Sequence, residues 1–312
     1  MAGAVLSSRI DPFYGLPTPM LFAHRGGMLE APESTERAFR SAQDEVGVDV
    51  FELDVQMTRD GRYVVWHGPD LDNVLIDGVA PDAPQRLVGR RLITDFAWHE
   101  LDGRAWVADP PAVPGRPRGD LSHVPRDADR RLLLFEEFLR LSPDVPKNIE
   151  MKPSVGIDGI PGFIRLLDAN RGERPIVVTS AKESFLAAFR KVMAERPPGK
   201  RYSTNISMEQ HVRILFASYL PLLDFPRLED RSFQTTHSRL VSSARVVRKV
   251  REHGGATYVF LSEFFPFPAL DDRREKLTDA AVMEILNRGV DGIMTDRPRV
   301  VRPIIERWKA SR

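Results

Sequence analysis

The chain of 312 residues contains no cysteine. That absence excludes disulfides, thiolate zinc sites, iron–sulfur clusters and cysteine nucleophiles, and leaves the redox compartment open. An excess of one charge sign is missing too, with 45 basic side chains against 44 acidic ones and a formal net charge of +1. No global field therefore recruits nucleic acid or an anionic membrane, and a charged ligand has to be met locally. Long apolar runs are absent: the strongest, Ile214 to Leu223, is interrupted by Ser218 and Pro221, and is too short to span a bilayer. Met1 to Arg9 shows no apolar stretch behind basic residues, and neither a myristoylation nor a prenylation signal is present. The expectation is a soluble, cytoplasmic protein without stable membrane insertion. A Gly-rich phosphate loop and a Gly-x-Ser-x-Gly elbow are also lacking, which argues against nucleotide-dependent transfer and the α/β-hydrolase route.

What is present reads as globular, with 42% apolar and 29% charged residues and with 25 prolines and 21 glycines spread along the chain. The length suits two domains of about 150 residues or one α/β barrel of about 200 to 250 residues with additions. Short apolar runs at Met20–His24, Asp49–Val55, Tyr63–His67, Lys147–Met151, Pro175–Thr179, Thr257–Leu261 and Gly292–Thr295 read as strands. They alternate with helix-period segments at Glu33–Val46, Leu132–Leu141, Gly162–Asn170, Lys182–Glu195, Val241–His253 and Asp279–Asn287. Such alternation predicts a parallel sheet, closed or open, in an α/β domain covering residues 1–312, with 1–19 as an N-terminal extension. Asn73 to Arg131 breaks the rhythm with seven prolines and nine arginines. It reads as an insertion without a convincing strand, helical only near Thr94–Leu101, and as a cap that helps to close a site, the alternative being a surface excursion with no catalytic role. The basic run Arg239 to Arg251 reads as the solvated face of a helix.

Three stretches place polar residues at the ends of apolar strands: Phe22-Ala23-His24-Arg25-Gly26-Gly27, Phe51-Glu52-Leu53-Asp54-Val55 and Val64-Val65-Trp66-His67. Alternation along a strand puts Glu52 and Asp54 on one face about 7 Å apart. Two carboxylates that close repel unless a cation lies between them, and a hard divalent ion, Mg²⁺ or Ca²⁺, is the natural occupant. Glu150 and Lys152 repeat the spacing and add a third carboxylate and a cation. His99, His123, His211, His237 and His253 lack comparable neighbours and receive no role.

These motifs carry a resemblance. His24-Arg25-Gly26-Gly27, Ala31-Pro32-Glu33-Ser34-Thr35, Glu52-Leu53-Asp54-Val55-Gln56-Met57-Thr58-Arg59-Asp60-Gly61, Val64-Val65-Trp66-His67 and Gly289-Val290-Asp291-Gly292-Ile293-Met294-Thr295-Asp296-Arg297-Pro298 resemble the glycerophosphodiester phosphodiesterase family in the family's order. The resemblance implies a TIM (β/α)8 barrel with an insertion after the strand ending at His67. It implies His24 and His67 as the catalytic pair, Arg25 and Lys152 on the substrate phosphate and Glu33 in support. One divalent cation, Mg²⁺ or Ca²⁺, would be held by Glu52, Asp54 and Glu150. Ser34 stands where the family has Asn, Gly68 where Asp follows the second histidine, and Phe260 where a late-strand Trp is expected; these departures bear on substrate preference.

The residue types suit the chemistry independently. Phosphodiester cleavage needs charge neutralisation on the non-bridging oxygens, a base for the nucleophile and an acid for the departing alkoxide. The expected reaction releases glycerol 3-phosphate and an alcohol from a glycerophosphodiester, through a cyclic intermediate or direct attack by water. Its alternatives are a lysophospholipase D or sphingomyelinase D-like activity on a phospholipid, and a barrel that binds a phosphoester without turnover.

Overall fold

The computed structural model describes residues 12–13, 15–78, 91–110, 121–220, 222–228, 231–261 and 278–312. In chain order the elements are β1 Met20–His24, α1 Glu36–Arg40, β2 Val50–Met57, β3 Tyr63–Val65, β4 Val74–Ile76, α2 Trp98–Leu101, β5 Ala105–Val107, β6 Leu133–Leu134, α3 Phe135–Leu141 and β7 Lys147–Met151. They continue with α4 Gly156–Ala169, β8 Ile176–Thr179, α5 Glu183–Ala194, β9 Ser203–Asn205, α6 Met208–Tyr219, β10 Arg231–Thr236, α7 Ala244–Glu252, β11 Ala256–Leu261, α8 Asp279–Asn287, β12 Gly292–Thr295 and α9 Pro298–Ala310.

Eight strands follow the order β1-β12-β11-β10-β9-β8-β7-β2, and β2 pairs back onto β1, so the sheet closes as a TIM barrel. The registers of β1 with β2, β2 with β7, β8 with β9, and β10 with β9 and β11 are parallel. Strands covered on both faces are apolar almost throughout, as in β1, whose five residues are all buried. β3 pairs antiparallel with β2, and β6 antiparallel with β3, which extends the sheet beyond the barrel's own strands.

Two compact units make up the chain, Met1–Leu21 with Pro175–Met294 and Val301–Arg312, and Phe22–Arg174 with Thr295–Val300. In the first, Ile206, Ile214, Leu228, Phe233, Val246 and Val250 form a core. α7 turns Val246, Val247 and Val250 inward and leaves its basic residues outside, as its sequence pattern requires. Phe13, from the stretch read as an N-terminal extension, packs its ring 5.7 Å from Tyr258; residues 1–11 and 14 of that stretch lie outside the described residues. In the second unit Phe39, Phe51 and Phe138 make an aromatic cluster with centroids 4.5 to 6.1 Å apart.

Four expectations need correction. The helix read from Glu33 begins at Glu36, because Thr35 caps it by accepting from the Ala38 amide while Ser34 takes a left-handed backbone angle of 61°. The third strand ends at Val65, two residues before His67. β9 and β10 were not expected, since Ser203-Thr204-Asn205 and Arg231–Thr236 are short and rich in polar residues. The insertion does contain strands: β4 and β5 pair antiparallel, although three residues each are too few to show a period. Residues 79–90 and 111–120 of the insertion lie outside the described residues. Its described part has a real core, with Trp66, Leu71, Val74, Ile76, Ile93, Trp98 and Leu101 among the buried residues. A second small core gathers Leu75, Trp106, Ala108, Leu121 and Val124.

The aromatic cluster joins α1, β2 and α3, so removing its central ring should leave a cavity. Phe138→Ala is expected to lower stability by about 3 to 5 kcal/mol, read from the shift in urea midpoint at unchanged slope. A loss below about 1 kcal/mol would mean that α3 is held chiefly by other contacts.

Candidate active site

The site assembles wholly within the second unit, at the carboxyl ends of strands. Register decides most of it. In the parallel pair of β1 and β2, His24 lies opposite Glu52, and in that of β2 and β7, Asp54 lies opposite Glu150. Glu52 and Asp54 share a face by strand alternation, so both histidine and third carboxylate are brought to the acidic pair by neighbouring strands. His67 arrives differently. β2 turns at Thr58–Arg62 and returns as β3, with Met57 opposite Tyr63 and Val55 opposite Val65; the Trp66 amide then bonds the Asp54 carbonyl at 3.0 Å. The hairpin thus carries the histidine back toward the carboxylates.

Arg25 and Lys152 neutralise this acidic cluster. The Lys152 ammonium lies 2.8 Å from Asp54 and 2.9 Å from Glu150. The Arg25 guanidinium donates to Glu33 at 2.9 Å and lies 3.4 Å from Asp54 Oδ2. Arg25 itself has a left-handed backbone angle of 50°, costly for a residue with a side chain, and its amide is held by both the carbonyl (3.0 Å) and the carboxylate (3.1 Å) of Glu52. Gly26 is required beside it: its angle is 79°, and a Cβ there would come within 2.7 Å of the Ala38 methyl group.

Charge follows from this packing. Burial raises Glu52 well above the usual carboxylate range, and the nearby Asp54 and Glu150 raise it further against the pull of Arg25 and Lys152. Burial also raises Glu150, with Lys152 opposing. For Asp54, burial is outweighed by Lys152, His67, Arg25 and His24, which hold its carboxyl below the usual range. Burial would lower Lys152 and Arg25, but their carboxylate neighbours more than restore the charge, and both end raised. His67 is pushed far below the ordinary histidine value by burial and by the cations Arg25 and Lys152, with Asp54 only partly offsetting, which favours the neutral ring.

One participant was missed by the sequence reading. Asp296, directly after β12, places Oδ1 2.5 Å from His24 Nδ1, and both residues are buried. A carboxylate can only accept, so Nδ1 carries the hydrogen toward Asp296, and Nε2 lies on the other side of the ring, 3.8 Å from Glu52. Asp296 stood within the quoted Thr295-Asp296-Arg297-Pro298 stretch, but no spacing signal links it to a histidine 272 positions earlier.

The structure therefore brings His24, Arg25, Glu33, Glu52, Asp54, His67, Glu150 and Lys152 into one cluster. Among the described residues, however, no three His, Asp or Glu side chains are gathered tightly enough to enclose an ion as they stand. Lys152 bridges two of the three carboxylates, and Asp54 Oδ2 is buried without a hydrogen-bond partner.

Comparison with known proteins identifies the family. Residues 24–300 match the model of the glycerophosphoryl diester phosphodiesterase family. A glycerophosphodiester phosphodiesterase of Caldanaerobacter subterraneus is 23% identical over 294 residues, covering 92% of this chain and 98% of that protein. A human lysophospholipase D is 26% identical over 215 residues, covering 68% of this chain and 58% of that protein. The fold is similar to that of an Oleispira antarctica phosphodiesterase solved with the product sn-glycerol-3-phosphate, with a TM-score of 0.64 at 17% identity over 95% of this chain and 99% of that one. With its signature residues carried on one set of strand ends, the chain belongs to the glycerophosphoryl diester phosphodiesterase family, whose members are phosphoric diester hydrolases.

Proposed function

We propose that the protein hydrolyses small glycerophosphodiesters to glycerol 3-phosphate and an alcohol by acid–base catalysis between His24 and His67, with a divalent cation bound by Glu52, Asp54 and Glu150. The observation that carries this reading is the convergence of two histidines and two cations on the buried carboxylates at the ends of β1, β2 and β7. Arg25 and Lys152 neutralise the non-bridging oxygens of the phosphodiester, Arg25 with a planar fork that can meet two oxygens at once. One histidine takes the proton from the attacking hydroxyl, glycerol's own or water's, while the other protonates the departing alkoxide. Asp296 holds His24 in one tautomer and supports positive charge on the ring.

The donor set fits a hard divalent ion. Three carboxylates supply oxygen ligands, and Asp54 Oδ2 is buried without a hydrogen-bond partner, 3.4 Å from the Arg25 guanidinium. When bound, Mg²⁺ or Ca²⁺ would supply Lewis-acid stabilisation of charge on the phosphoryl oxygens. A small headgroup diester is favoured over a lipid because the described apolar side chains of the insertion are turned into its own two cores. Its outside is tied by ion pairs, Arg37 with Asp127 and Asp129, Arg126 with Asp77 and Arg130 with Asp109.

Three measurements test this reading. Chelation should abolish hydrolysis of glycerophosphocholine and readdition of Mg²⁺ or Ca²⁺ restore it, while Asp54→Asn weakens ion binding in calorimetry. Turnover that survives exhaustive chelation would remove the cation from the mechanism. His24→Ala and His67→Ala should each lower kcat by about 10² to 10⁴-fold with the circular dichroism spectrum unchanged. A nitrophenyl diester, whose leaving group needs little protonation, should rescue one of the two and not the other; near-native rates in both variants on an alkyl diester would dismiss the pair. Asp296→Asn keeps the shape but can present a donor to Nδ1 and so favour the wrong tautomer, as in the serine protease triad. It should reduce kcat by at least about 10²-fold with KM nearly constant, and an unaltered kcat would make the Asp296–His24 contact purely structural.

A further inference from the structure

The alternation that sets Glu52 and Asp54 on one face of β2 places a third polar residue there, Gln56, which is only 3% exposed. Its amide nitrogen donates to the carbonyls of His67 at 2.9 Å and Gly68 at 2.7 Å. Two carbonyls can only accept, so the orientation of the amide is settled by its partners. Its oxygen in turn accepts from the Ser154 hydroxyl, and the same hydroxyl oxygen accepts from the Met57 amide at 2.9 Å. Every polar atom in this chain of bonds is thereby used. Ser154 follows Lys152 by two positions, so the relay joins the end of β7 to the loop that carries His67.

Past Gly68 the loop is tied by the Trp66 indole to the Asp70 carbonyl at 2.7 Å and by the Leu71 amide to the Arg91 carbonyl at 2.9 Å. β3 stops at Val65, and the last ladder bond is from the Trp66 amide to the Asp54 carbonyl. The next described main-chain anchor is the Pro69 carbonyl, which accepts from the Ile93 amide at 2.9 Å. Between them both carbonyls, of His67 and of Gly68, meet the same glutamine. The side chain that would carry a polar group at position 68 is absent, because Gly68 stands there.

We infer that Gln56 and Ser154 are positioning residues for His67: together they clamp the His67–Gly68 backbone so that the imidazole keeps its place beside Asp54. The inference rests on His67 being a proton-transfer group. Displacing a reacting group by about 1 Å can cost about 10²-fold in rate, so Gln56→Met, similar in length but unable to bond, should lower kcat by about 10 to 10²-fold with KM changed less than about twofold. Ser154→Ala should lose less than Gln56→Met, and Ser154→Thr, which keeps the hydroxyl, less than Ser154→Ala. Residues acting through one relay are not additive, so the Gln56→Met/Ser154→Ala double variant should be little worse than Gln56→Met.

The deciding cycle uses His67→Ala with a nitrophenyl diester to give measurable residual turnover. In that background Gln56→Met should have almost no further effect. An equal loss with and without His67 would overturn the inference and make Gln56 a general support of the strand end, as would a Gln56→Met variant with native kcat. Should Gln56→Met fail to fold, the ranking of Ser154→Thr above Ser154→Ala, and the disappearance of that difference in the His67→Ala background, carries the same decision; equal rates for the two serine variants would overturn it. A His67→Ala variant that retains native turnover on an alkyl diester would instead remove the catalytic reading itself, a result separable from any effect of Gln56.

Discussion

Buried negative charge at the ends of β2 and β7 is the constraint from which the architecture of the site follows. Three carboxylates are forced together there, two by strand alternation and the third by the register of β7 against β2. An unpaired buried carboxylate is strongly destabilising, so the cluster tolerates its own density only because cations are delivered to it. Lys152, one residue past β7, and Arg25, one residue past β1, do this from the two strands that flank β2. Arg25 reaches inward from a left-handed backbone angle, which is where strain is expected when surrounding contacts over-determine a functional residue. The same packing leaves fixed positive and negative groups side by side at one set of strand ends.

The two histidines are held by different devices, and the difference is physical. His24 ends a central strand and is buried, so its ring must have a partner for Nδ1, which Asp296 provides from the carboxyl end of β12. His67 lies on a partly exposed loop after an antiparallel return, where backbone placement is the harder problem; the Gln56 amide meets both neighbouring carbonyls. One ring is fixed through its side chain and the other through its main chain. Each solution uses a residue whose only visible property in the sequence is to be polar near a strand end.

That is also why the sequence was readable in some places and silent in others. β1, β7 and β12 stand where their apolar runs end at polar residues, and α8 runs from its capping Thr278 through an amphipathic turn pattern to Asn287. β9 and β10 went unseen because Ser203-Thr204-Asn205 and Arg231–Thr236 expose little apolar period, their pairing being supplied by neighbours already in the barrel. The carboxylates and histidines were legible because strand periodicity and motif order act locally. Asp296 and Gln56 were not assigned, since their partners are chosen by closure of the fold and by a hairpin return, neither of which leaves a spacing in the chain.

The insertion shows the same limit from the other side. Its prolines and arginines suggest an irregular excursion, yet its tryptophans and aliphatic residues make cores of their own, and Trp66 roots one of them in the hairpin that delivers His67. The turn before β3 is tied into it as well: the Trp98 amide bonds Asp60, the Arg59 amide bonds the Phe96 carbonyl, and the Arg59 side chain pairs with Glu100. The insertion is thus bonded to the turn of the β2–β3 hairpin and packed on Trp66 at its far end, next to His67.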